Sequence, residues 1–216
     1  MSKSAMKQYF RNSLNLAQSL HSGHCGGGYD EAAHITAGIL SGISAIHWPG
    51  HQIDKKRFVE LLVRFGPASV KKVSVPLLYQ DDSLTQAQLR VLEGTVPALK
   101  ITGRIITGSE DMDEAALIAK AQKEGTSFAL KILRKYSYGH LLYREIRCGF
   151  AHEFRIGTNA ATFRQTQFCS GISYVNFDRH RRIFFPFPEM KTIVGDIITN
   201  APFTGQVCLA KWWIDG

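Results

Sequence analysis

Three breaks cut the first 67 residues of the chain into helix-length pieces: Gly26-Gly27-Gly28, Trp48-Pro49-Gly50 and Gly66-Pro67. Glycine loses the most backbone entropy on ordering, and proline removes a donor and clashes with the preceding turn, so a helix stops at each break. Between them apolar residues recur at spacings of three and four, the helical period. Residues 3–21 place Met6, Tyr9, Phe10, Leu14, Ala17 and Leu20 at that spacing, residues 30–47 place Ala33, Ala37, Leu40, Ile43 and Ile46, and residues 54–65 place Phe58, Leu61, Leu62 and Phe65. Asp30 stands where the second helix needs a cap. Amphipathic helices joined by such short loops bury their stripes against one another as antiparallel neighbours.

The pattern blurs from 67 to 108, where Pro67, Pro76 and Pro97 interrupt short runs such as Val73 to Val75. This stretch reads as an irregular insertion, with a helix near Leu84 to Leu92 and extended chain from Ala98 to Ile106. Helical signals return with the acidic lead Ser109 to Glu114 and run to Gly125, then from Thr126 to Lys135 and from Ser137 to Phe154. Ile172 to Phe187 reads as a β-hairpin, with Asp178 to Arg182 as its turn, and Pro188 to Asn200 as a last helix. The expected fold is mainly α: one domain over residues 1–216, an antiparallel helical bundle with a small β-hairpin near the C-terminus.

Twenty-six Lys and Arg against 18 Asp and Glu give a net charge of +8, a surface that favours polyanions without naming one. Cys25, Cys148, Cys169 and Cys208 lie far apart, so neither a zinc ribbon nor a small disulfide scaffold is indicated. His21-Ser-Gly-His24-Cys25 offers metal-type donors, but no second cluster completes a four-ligand set. No metal or cofactor is expected. No stretch approaches the ~20 apolar residues of a membrane span, and the expected location is cytoplasmic. Trp212-Trp213 reads equally as an anchor for the tail or as a partner surface.

The chemistry concentrates in Tyr143-Arg-Glu-Ile-Arg-Cys-Gly-Phe-Ala-His152, where Arg147 and His152 stand five positions apart late in a helix. RNA can be cleaved by its own 2′-hydroxyl without a metal if a base takes the 2′ proton and an acid protonates the departing 5′-oxygen. Imidazole suits both roles near neutrality. A guanidinium is a permanent, bidentate partner for the charge that builds on phosphorus. On a regular helix, residues five apart point about 140° from each other, so the two side chains do not automatically share a face, while the row Arg144, Cys148, His152 is better aligned and the long Arg147 side chain can still reach round.

Arg147-Cys-Gly-Phe-Ala-His152 resembles the R-x4-6-H signature of the HEPN superfamily. Tyr143 through Glu153 is similar to that family's lead into an Ala-His-Glu close, and Tyr29 through Phe65 resembles its early helix pair. The resemblance covers about a third of the chain. It implies a HEPN-like bundle acting as a metal-independent endoribonuclease, with Arg147 and His152 catalytic, Arg144, Tyr143 and Cys148 at the substrate, and RNA as partner. It further implies a homodimer through the 138–154 helix, a regulatory protein partner, and a setting in defence or stress control. Cys148 departs from the Asn or other polar residue usual after the Arg, which leaves open a non-catalytic HEPN module binding RNA, nucleotide or a protein.

Overall fold

The computed structural model describes residues 2–96, 99, 106–153, 155–161, 171–177, 180–205, 209 and 211–216. The three stretches between the breaks fold as α1 (Lys3–His21), α2 (Tyr29–His47) and α3 (Asp54–Phe65). Ser2 caps α1 by accepting from the Ala5 N–H, and the Glu31 carboxylate accepts from the Gly28 N–H at 2.8 Å where α2 begins. Both contacts satisfy donors that a helix start leaves open. α2 is the central element, with Ala32, Ala33, Ile39, Leu40 and Ile43 buried. α1, α3 and the last helix, α10 (Phe187–Asn200), pack against it. The fold is mainly helical, as the breaks and periodicities predict.

Residues 67–96 carry part of the core. Val70, Val73, Val75, Leu77, Leu78, Val91 and Leu92 are all buried. Short helices hold them there: a 3-10 turn at Ala68–Lys71, α4 (Val75–Leu78) and α5 (Gln86–Glu93). Thr85 and Gln88 close a reciprocal cap at the start of α5. Of the extended stretch expected from Ala98 to Ile106, all but Leu99 and Ile106 lies outside the described residues. α6 (Glu114–Lys123) begins at the end of the acidic lead, before which Gly108–Glu110 forms a 3-10 turn and Asp111 is buried. α7 spans Leu130–Lys135.

The hairpin is β2 (Ser173–Phe177) and β3 (His180–Phe184), extended to three antiparallel strands by β1 (Ile106–Thr107), in the order β1-β2-β3. Asp178 and Arg179 of its basic turn lie outside the described residues. Tyr174 pairs with Ile106 on one side and Ile183 on the other, and all three are fully buried. The tail returns to the bundle. Trp212 packs edge-on to Trp48 with ring centres 5.8 Å apart, the Trp213 N–H donates to Glu60 at 2.7 Å, and the Arg134 guanidinium lies 4.6 Å from the Trp213 ring. The tryptophan pair therefore anchors the tail.

Asp111 ties sheet to helices. Its buried carboxyl accepts from the Tyr138 and Tyr174 hydroxyls and from the Val75 N–H at 2.9 Å. Burial pushes its pKa up to about 6 even though the three donors pull the other way. A carboxyl raised by folding contributes stability that is full below its unfolded value of 3.8 and lost as pH rises through about 6. Between pH 4 and pH 6 the wild type is therefore expected to lose, relative to Asp111→Asn, on the order of 2 kcal/mol of unfolding free energy, at ~1.4 kcal/mol per pKa unit. Urea titrations across this range check it, and parallel pH dependences in the two proteins would refute it.

Candidate functional site

The stretch expected as a uniform helix over 138–154 is three pieces in one run: α8 (Tyr138–Leu141), a π-helical turn (Leu142–Arg147) and α9 (Cys148–Glu153). Phe154 lies outside the described residues. In a π turn the backbone hydrogen bonds run i to i+5 rather than i to i+4, and the wider turn brings side chains five apart closer to one face. Tyr143 consequently meets Cys148, and their side chains hydrogen-bond. The Tyr143 ring also packs on Phe58 of α3, with centroids 5.4 Å apart. Burial first, and then the Cys148 bond, push the Tyr143 hydroxyl up to about 12. These two residues hold each other and the neighbouring helix.

Glu145, only 2% exposed, fixes the path of the chain beyond the helix. Its carboxylate pairs with Arg144 and accepts from the Asn159 N–H and side-chain amide, both at 3.1 Å. Its backbone carbonyl accepts from the Gly157 N–H at 2.6 Å. The chain thus doubles back over α9, and Gly149 is where it crosses. A Cβ on Gly149 would overlap the Arg155 carbonyl oxygen and stand 2.7 Å from the Gly157 nitrogen. Gly149 is thus a close-approach point between two stretches of backbone.

Arg147 is partly exposed. Its guanidinium lies 5.5 Å from the Tyr143 ring and 3.8 Å from the Asp54 carboxylate, a loose surface pair of small energetic weight. It lines a cavity of about 150 Å³ with His34, Gly38, Ser41, Phe150 and Ala151. His152 is exposed and is not part of that lining. Counting about 100° per residue from Arg147, Phe150 and Ala151 fall within about 60° of it and His152 about 140° away. Within one chain the two motif residues leave the helix on different sides. Arg144 turns elsewhere, toward Glu145 and the Tyr136 ring. The structure therefore brings Tyr143, Arg147 and Cys148 together and leaves Arg144 and His152 apart from them.

No family model, curated protein or solved structure matches this chain. The residues themselves carry the functional reading.

His34 is the cavity residue that sequence reading missed. It is exposed on α2, with its ring edge-on to Phe150 at 5.6 Å. Its position three before Ala37 and four before Gly38 was a legible sign that it shares their face, but nothing in the sequence says that this face meets Arg147. His140, just upstream of the motif, is buried, and burial together with the nearby Arg144 and Lys55 charges pushes it down to about 4. It stays neutral near pH 7. His21 stacks on Phe187 at 4.5 Å, and among the described residues no group of three or more His, Cys, Asp or Glu side chains could hold a metal ion. Cys169 and Cys208 lie outside the described residues.

Two substitutions test this construction. Gly149→Ala should displace the 155–157 crossing and destabilise the fold by about 1–3 kcal/mol, the usual cost of overpacking. Glu145→Ala should also cost about 1–3 kcal/mol, because it takes the acceptor from the two Asn159 donors and the partner from Arg144. Chemical denaturation reads both, and wild-type midpoints would refute the roles given to these residues.

Proposed function

We propose that the chain is a metal-independent endoribonuclease of the HEPN type, acting where two copies of the motif helix meet across a two-fold axis. Arg147 clamps the phosphate and stabilises the charge that builds on it. His152 moves protons. The 2′-oxygen, losing its proton to a base, bonds to phosphorus while the bond to the 5′-oxygen breaks and an acid protonates that oxygen. The products carry a 2′,3′-cyclic phosphate and a free 5′-hydroxyl. One imidazole does not serve conveniently as base and acid in a single step, so a second is required.

The observation that supports this reading most is the division of the motif. Arg147 sits in a cavity with only a loose partner, and His152 projects from the other side of the helix into solvent. A histidine that only stabilised the fold would be expected to find a partner. An exposed one can reach across to the cavity of a second copy. The net charge of +8 suits RNA as the substrate. The proposed setting is defence or stress control, where a regulatory protein partner would restrain the activity. Cys148 favours the second reading, a non-catalytic HEPN module that holds RNA, nucleotide or protein, because its side chain is engaged with Tyr143.

Purified wild type and His152→Ala incubated with single-stranded RNA in EDTA separate the readings. Wild type is expected to leave 2′,3′-cyclic phosphate ends, and His152→Ala to cut at least ~100-fold more slowly, the scale of a lost acid/base group. Equal cleavage by both removes His152 from the mechanism. Binding without cleavage by wild type selects the module.

A further inference from the structure

We infer that His34 is the second imidazole of the site, the proton-transfer group that each chain supplies beside its own Arg147. This inference rests on the RNA-cleaving reading. His34 and Arg147 are walls of one cavity, contributed by α2 and by the end of the π turn. Gly38 is part of the same lining, and a Cβ built there meets no atom within 4 Å, so the space beside it is open. Ser41, one turn further along α2, adds a hydroxyl to the same wall. The cavity thus offers a fixed cation, an imidazole and a hydroxyl around a space of about 150 Å³.

The ring is reachable: His34 is exposed, and the almost fully buried Phe150 ring lies beside it edge-on, with centroids 5.6 Å apart and planes at 65°. His34 is also a wall of a larger adjoining cavity of about 400 Å³, which it shares with Leu20, Asp30, Glu31, Ile35 and Phe150. The two cavities meet at His34 and Phe150, so a strand of RNA lying along α2 passes the imidazole as it approaches Arg147. His152 of one copy and His34 of the other then divide the work. One imidazole takes the 2′-hydroxyl proton, the other gives its proton to the 5′-oxygen, and exchange with water restores both.

The test measures cleavage of a labelled single-stranded RNA in EDTA across neutral pH by wild type, His34→Gln and His152→Ala. His34→Gln is expected to lower kcat by about 10²–10⁴-fold and to remove one limb of the bell-shaped pH profile, the acidic limb if His34 is the base and the alkaline limb if it is the acid. Its affinity for a fully 2′-O-methylated RNA, which cannot be cut, should stay at the wild-type value. Added imidazole should restore turnover to His34→Gly. Because His34 is exposed, His34→Gln should keep the wild-type melting temperature. Wild-type turnover with both limbs intact in His34→Gln overturns the role of His34 and leaves the nuclease reading standing. A wild type that makes no product overturns both.

Discussion

The buried carboxylate of Glu145 sets the shape of everything around the motif. A charge taken this far out of water costs several kcal/mol unless it is fully engaged, and here Arg144 and two donors of Asn159 engage it. Asn159 in turn is laddered to β3, its carbonyl accepting from the Ile183 N–H at 2.8 Å, while the Ala161 N–H donates to the Ile183 carbonyl at 2.9 Å. One side chain thus fastens the motif helix to the sheet. It also dictates the route of the chain after α9, which is why Gly149 has no room for a side chain and why Gly157, whose Cβ would overlap the Glu145 carboxylate, has none either. Asp111 does the corresponding work at the other end of the helix, through Tyr138 and Tyr174.

With both ends of the run fixed, the π turn between them decides which side chains face which neighbour. It turns Tyr143 onto Cys148 and Phe58, and brings Arg147 to the rim shared with α2. α9 then continues with the ordinary period, so His152 faces away. A site made from one copy would hold Arg147 and His34. A site made from two would add His152. That difference follows from helix geometry alone, and it explains why an Arg and a His five apart make little chemical sense in an isolated α-helix.

Much of the bundle was legible because it depends on local signals. The glycine and proline breaks bound α1, α2 and α3, and the apolar stripes name much of the core, from Phe10 and Leu14 to Leu61 and Leu62, although Tyr9 of the first stripe is exposed and Met6, Leu20, Ile46 and Phe65 are half-buried. What was not legible depends on distant partners. Val70 and Val73 look like fragments in sequence and are core because the helix beginning at Tyr138 packs on this stretch, its N–H donating to the Lys72 carbonyl at 2.9 Å. Asp111 looks like one more acidic residue at a helix start until two tyrosines, 27 and 63 positions away, close on it. The π turn leaves no mark on apolar spacing, and His34 gains meaning only from an arginine more than a hundred residues further along.

Under the proposed nuclease reading, the balance of forces on Arg147 would suit the cavity to a phosphate. Asp54 is near enough to bias the guanidinium toward the rim, but at 3.8 Å and partly in solvent the pair contributes no more than about 1 kcal/mol. Asp54 is also engaged by Arg57, which divides its attraction. A phosphate placed in the cavity would accept two parallel, charge-assisted bonds from the same guanidinium, an interaction stronger than the one it displaces. The Tyr143 ring beneath would keep the plane of the guanidinium in place while its partner changes. Asp54 therefore acts as a weak rest for Arg147, and a strong one in its place would hold the cation away from the cavity.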